Sequence, residues 1–244
     1  MRFGPAKVPG FSPSFAYFLG YLLGDGSVSM KRPTIALVCH SIEENQFCRF
    51  VLVPLVTKLF GIKPTLYKRK DKNAYTVQFD SRRVVTHLAN EIRFPIGETP
   101  KTVPKVILRG ATRIKIAFVR GYFDADGSLI FSKKTYSKHV YPSIELKCVY
   151  FAVLADVQVI LRQFGFRTSI GRSVESWVLR INGVEMLKRW MRIIGSDNIK
   201  HNSKYSVWRE LGYCPPDTTV RERLDMLQRV LNAEKTNIDS KDGR

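Results

Sequence analysis

Two segments of this chain read almost alike. Phe18-Leu-Gly-Tyr-Leu-Leu-Gly-Asp25-Gly26 and Val119-Arg-Gly-Tyr-Phe-Asp-Ala-Asp126-Gly127 are each an apolar helical run that ends in a carboxylate, then a glycine, then a serine (Ser27, Ser128). The two acids stand 126 − 25 = 101 positions apart in a chain of 244, so one copy lies early in each half. A repeat at that spacing is an internal duplication, and it commits the chain to two similar units.

The rest of the halves follows from those anchors. Thr34-Ile-Ala-Leu-Val-Cys39 and Ser143-Ile-Glu-Leu-Lys-Cys148 are strand-like by alternation. A helix follows each, from about Glu43 to Leu59 and from Phe151 to Gln163, and each closes on a glycine, Gly61 or Gly165, suited to a C-cap. Tyr75-Thr-Val-Gln-Phe-Asp80 then matches Trp177-Val-Leu-Arg-Ile-Asn182, and amphipathic helices over about 83–92 and 184–194 complete the units. The expected fold is α+β: two tandem α-β-β-α-β-β-α units, residues 1–110 and 111–212, packed through their motif helices, with a C-terminal helix and polar tail over 213–244.

Gly20 and Gly121 hold the same motif position and leave one helical face bare, so two such helices can approach closely. The carboxylates at the helix C-termini oppose the helix dipole by about 0.3 to 1 kcal/mol. A bound divalent cation would offset that, with Asp25, Asp126 and the last carbonyls, those of Gly24 and Ala125, converging on one site.

These residues resemble the LAGLIDADG homing endonucleases, in their single-chain form with two motifs. The second motif matches the family pattern at Gly121, Asp124, Ala125, Asp126 and Gly127, whereas the first carries Leu23 and Gly24 where the pattern has Asp and Ala. The resemblance implies that Asp25 and Asp126 are metal ligands for Mg²⁺ or Mn²⁺ at two scissile phosphates. It further implies in-line attack by an activated water, short 3′ overhangs, and two antiparallel sheets forming one saddle for double-stranded DNA. The contrast of Leu23 with Asp124 predicts chemically unequal half-sites and a target that is long and not fully palindromic.

The family also places a basic residue in each half near the scissile phosphate. Lys101, within Pro100-Lys101-Thr-Val-Pro104, resembles the Lys-Thr-hydrophobic-Pro stretch of some members, and Lys204 is the better counterpart in the second half, with Lys200 next. Either lysine could polarise the attacking water or stabilise phosphate charge.

Composition agrees: 40 Lys and Arg against 21 acids give a net charge of +19, a balance suited to a polyanion. The candidate DNA contacts are Ser27, Arg32, His40, Lys68, Arg69, Lys70 and Gln78 in the first half and Lys133, Lys134, Lys147, Arg172 and Arg180 in the second. Turn lysines would hold phosphates, while Gln78 and Arg180, at equivalent strand positions, would read adenine and guanine. For Lys68 to Lys72 the bland alternative is a solvated hairpin tip, and for Gln78 and Arg180 ordinary strand surface.

Other chemistries find no support. Cys39, Cys48, Cys148 and Cys214 contain no Cys-x-x-Cys pair, and four scattered histidines lack metal-ligand spacing. There is no Gly-Lys-Ser/Thr phosphate loop, no signal peptide and no stretch able to span a membrane, which points to an intracellular, cytoplasmic protein with access to genomic DNA. After Pro215-Pro216 a short helix over about 219–231 is expected to pack on the second half, with a mobile polar tail over 234–244. The function expected is that of a monomeric, site-specific endonuclease cutting both strands. The alternative is a maturase acting on intron RNA, or a non-cleaving regulator on the same fold.

Overall fold

In a computed structural model, residues 5–70, 72–97, 99–135 and 137–242 are described, with side chains up to residue 233. Motif helix α1 (Pro13–Asp25) opens the first half. The Ser12 hydroxyl caps it by accepting from the Phe15 amide, and Pro13 takes the first turn, where a missing N–H costs nothing. Residues Phe15 to Leu23 are all buried, the setting that suits a helix apolar on every side.

Strands β1 (Gly26–Ser29) and β2 (Thr34–His40) follow. Next comes a helix in three consecutive pieces: α2 (Asn45–Phe47), a π-helical turn (Cys48–Leu52) and α3 (Val53–Phe60). The sequence predicts one regular helix here, but Pro54 has no N–H to donate and its ring crowds the carbonyl four residues back. The wider turn just before it accommodates both. β3 (Thr65–Lys68), β4 (Ala74–Asp80) and α4 (Arg82–Asn90) close the half.

A short α5 (Lys105–Leu108) leads to the second motif helix, α6 (Thr112–Asp126). The order then returns: β5 (Gly127–Ser132), β6 (Tyr141–Cys148), α7 (Phe151–Gln163), β7 (Ser169–Arg172), β8 (Trp177–Asn182) and α8 (Val184–Ile193). Each half is a four-stranded antiparallel sheet, ordered β1-β2-β4-β3 and β5-β6-β8-β7. The registers correspond: Ala36 opposes Gln78 and Cys39 opposes Tyr75, as Glu145 opposes Arg180 and Cys148 opposes Trp177. Ile35, Leu37 and Cys39 turn inward from β2, as Ile144 and Leu146 do from β6, leaving the intervening residues on the outer face. The fold is the duplicated α+β architecture.

α1 and α6 lie side by side and meet through glycine. A Cβ on Gly20 would be driven into the Phe118 carbonyl oxygen, and one on Gly121 into that of Tyr17, so backbone rests on backbone in both directions. Tyr21 and Tyr122 tie each motif helix to its own sheet, their hydroxyls donating to the carbonyls of Val38 (2.8 Å) and Lys147 (3.4 Å).

Helices α9 (Ile199–Leu211) and α10 (Val220–Asp242) complete the chain and pack on each other. α10 outruns the short helix expected from sequence and enters the stretch expected to be a mobile tail; residues 243–244 of that tail lie outside the described residues. A capping box starts it, Thr219 N donating to Glu222 (2.7 Å) and Glu222 N to the Thr219 hydroxyl (3.2 Å). Its first turn also reaches the first half: Val220 N and the fully buried Arg223 both donate to the Glu43 carboxylate, Arg223 at 3.1 Å. All four cysteines are free, Cys148 half-buried and the others buried. No helix among the described residues is long and apolar enough to cross a membrane.

Candidate active site

Asp25 and Asp126 are the last residues of α1 and α6, and the glycine contacts bring these ends together. A Cβ on Gly24 would stand 2.7 Å from that of Ala125 and 3.1 Å from an Asp126 carboxylate oxygen. Burial pushes the Asp25 carboxyl up to about 6, with the Glu44 charge adding to it. Burial and then the Asp25 charge push Asp126 up to about 7. Neither carboxylate takes a hydrogen bond or ion pair from the described residues. Two partly buried, mutually repelling oxygen ligands without a donor fit a hard divalent cation, Mg²⁺ or Mn²⁺. The Gly24 and Ala125 carbonyls belong to last helical turns, where carbonyls lack intrahelical partners. No cluster of three His, Cys, Asp or Glu side chains able to hold a metal occurs among the described residues, so carbonyls, water and substrate oxygens would complete the shell.

Two ammonium groups act on the pair. Lys101 donates to the Leu23 carbonyl at 3.1 Å, and it and Lys200 both pull the two aspartates back toward the charged form. Lys204, favoured from spacing, goes elsewhere. Its ammonium donates to the Leu129 carbonyl (3.2 Å), beside Cys214 and Pro215, where burial and Arg223 hold its pKa down. The separations explain the choice made from sequence: Lys101 follows Asp25 by 101 − 25 = 76, while Lys200 and Lys204 follow Asp126 by 200 − 126 = 74 and 204 − 126 = 78. Spacing alone is undecided; the course of α9 turns Lys204 toward β5.

Four further side chains around the site were not singled out by sequence. Glu44, 3% exposed, accepts from Lys200 (2.8 Å), from Asn198 Nδ2 (2.6 Å) and from the His40 amide (2.7 Å). Asn198 also donates to the Asp124 carbonyl (3.0 Å). Tyr17 donates to the Asp124 carboxylate at 2.6 Å, and Ser196 and the Asp197 amide donate there too. Asp124 is therefore spent on the interface, and burial raises it to about 7 despite those donors. Leu23, at the matching motif position, is an apolar buried residue with no such bonds.

On the outer face of the first sheet, Ser27, Lys68, Arg69, Lys70 and Gln78 line one open concavity. Tyr67 holds Gln78 at 3.0 Å. Arg32 is exposed in the β1–β2 turn. His40 is exposed at the end of β2, where its Nδ1 accepts from the Glu43 amide (3.3 Å). On the second sheet Lys133 and Lys147 are exposed, Lys134 lies 3.2 Å from the Tyr141 ring centre, and Arg172 lies over Trp177. Arg180 pairs with its cross-strand neighbour Glu145 at 2.9 Å, so its charge is matched within the sheet. His201 is buried against the Phe123 ring.

A LAGLIDADG-like domain model matches residues 12–93 and 113–195, once per half. The chain belongs to the LAGLIDADG family. Homing endonuclease I-ApeI of Aeropyrum pernix is 27% identical to this LAGLIDADG chain over 205 residues, 80% of it and 87% of I-ApeI. A segment of the tRNA-splicing ligase RtcB of Pyrococcus furiosus, 20% of that protein, is 26% identical across 77% of the chain. Among solved structures, I-DmoI in complex with DNA and Mn superposes with a TM-score of 0.53 at 20% identity, over 76% of this chain and 98% of that one. The N-terminal LAGLIDADG domain of DUF199/WhiA superposes at 0.52 with 15% identity, over 80% and 86%. These two likenesses are of fold.

Proposed function

We propose that the chain is a monomeric, site-specific endonuclease that uses Mg²⁺ or Mn²⁺ to hydrolyse both strands of a long, non-palindromic DNA duplex, leaving short 3′ overhangs. The observation that carries this reading is the pair of donor-free aspartates at the joined helix ends, flanked by Lys101 and Lys200. The likeness to I-ApeI, a homing endonuclease by name, supports it.

A divalent cation held by Asp25, Asp126 and the Gly24 and Ala125 carbonyls would supply Lewis-acid stabilisation of phosphate oxygens and a more acidic water. The protein's own part is geometric and electrostatic. Glycine-to-backbone contact fixes the two carboxylates against each other, and the two ammonium groups offer positive charge where a phosphate gains negative charge. Residues 1–110 and 111–212 would each take one half-site, and the outward strand faces and turn lysines would grip the duplex within an intracellular setting.

The test is cleavage of a randomised-duplex or host-genome library with Mg²⁺ by wild type, Asp25→Asn, Asp126→Asn and the double variant. Double-strand breaks at one long sequence, lost in each single variant, are expected. Tight binding to DNA or RNA with no cutting in Mg²⁺ or Mn²⁺ would transfer the protein to the maturase or regulator class.

A further inference from the structure

The lysines on either side of the aspartates are held in different ways. Lys101 rests on a neutral oxygen, the Leu23 carbonyl, within 3.1 Å. Lys200 is held by a charge, the Glu44 carboxylate, at 2.8 Å. Glu44 belongs to the first half and Lys200 to the second, so this ion pair crosses the boundary between them, as does the Asn198–Glu44 bond at 2.6 Å.

Burying a carboxylate is costly unless partners offset it, and an apolar residue of similar size is often at least as stabilising. Glu44 is held by two donors besides Lys200, the His40 amide and Asn198 Nδ2, so it stays in place and the lysine, on its flexible stem, follows it.

We infer that Glu44 is a positioning residue: it carries the ammonium of Lys200 across the half boundary to the Asp25 side of the site, so that one of the two strand cuts depends on it and the other does not. This rests on the endonuclease reading above.

The experiment follows nicked and linear products from a supercoiled plasmid bearing the target, with strand-specific end labels, for wild type, Glu44→Gln, Lys200→Met and the double variant. Beside it, ¹³C reductive methylation with NMR reports Lys200 in the cation-free protein, with Lys200→Met assigning the signal. Expected for Glu44→Gln are DNA affinity within threefold of wild type, a tenfold or greater slowing of one strand only, and accumulation of nicked circles. The double variant should equal Lys200→Met alone, and the Lys200 methyl signal should move to the position of solvated lysines. Equal rates on both strands in Glu44→Gln, multiplied effects in the double variant, or an unmoved Lys200 signal would overturn the inference. Should Glu44→Gln fail to fold, Glu44→Asp keeps the charge while drawing the ammonium away, and the same strand-selective loss is expected. A wild type that never cuts defeats the endonuclease reading alone, because the Lys200 signal still shows whether Glu44 holds it.

Discussion

The two halves share a backbone plan but have put their buried acids in different places. In the second half the extra acid lies inside the motif, at Asp124; in the first it lies beyond β2, at Glu44, and the motif carries Leu23 instead. Besides Tyr17 for Asp124 and the His40 amide for Glu44, both acids share partners from one segment, residues 196–200: Ser196 and the Asp197 amide serve Asp124, Lys200 serves Glu44, and Asn198 bonds to both residues. In the first half, Lys101 donates to the Leu23 carbonyl and the Val103 amide to Asp156 (3.2 Å). A duplicated fold can thus keep its axis and its paired aspartates while the supports around them diverge.

The sharpest break of this comparison is Lys101→Met set beside Lys200→Met. Each should lower cleavage roughly 10² to 10³-fold, the scale of losing one charge-stabilising donor, with opposite strands affected; loss of the same strand in both would show that the two lysines serve one centre. Next comes the shared axis. Gly20→Ala and Gly121→Ala should each destabilise by about 3 kcal/mol or more, and by similar amounts, because each forces backbone from backbone; urea midpoints measure this, and a large difference would mean that the contact is not reciprocal.

The aspartates give a third contrast. Their folded pKa values, about 6 and about 7, lie above the usual 3.8, so the folded state binds more protons between those limits. Their contribution to stability is therefore present below pH 3.8 and lost as pH rises through 6 to 7. In cation-free protein at pH 8, Asp126→Asn should raise stability by about 1 to 3 kcal/mol and Asp25→Asn by less. Added Mg²⁺ should raise the wild-type Tm more at pH 8 than at pH 5, and an equal rise would speak against a site on these carboxylates.

The smallest effect is expected at the interface. Tyr17→Phe should cost about 1 to 2 kcal/mol by leaving Asp124 one donor short. Phe118 and Leu23 are the repeat counterparts of Tyr17 and Asp124, both apolar and buried. Asp124→Leu in the Tyr17→Phe background should then cost less than in wild type, a coupling that a double-mutant cycle reads directly.

Much of this plan was legible in the residues. Repeated glycine and aspartate at matched positions identify the helix pair, and alternation marks β2, β4, β6 and β8 because their sheets bury one face. What sequence did not show depends on meetings between distant residues. Glu44 and Lys200 approach only because the turn before α2 in the first half meets the start of α9 in the second, and Lys204 could be separated from Lys200 only by the course of α9. The matching of Arg180 by Glu145 depends on strand register, and the π-helical turn before Pro54 is a local compromise that periodicity does not encode.

Glu43 stands next to Glu44, and its own partners, Val220 and Arg223, follow it by 177 and 180 residues. At synthesis rates of about 5 to 20 residues per second, roughly 10 to 40 s pass on the ribosome between the acid and the groups that fasten it. The segment leading into α2 is thus made long before the groups that lock it. A nascent chain can build both sheets and join both motif helices while this corner of the molecule is still open, so its closure waits on α10.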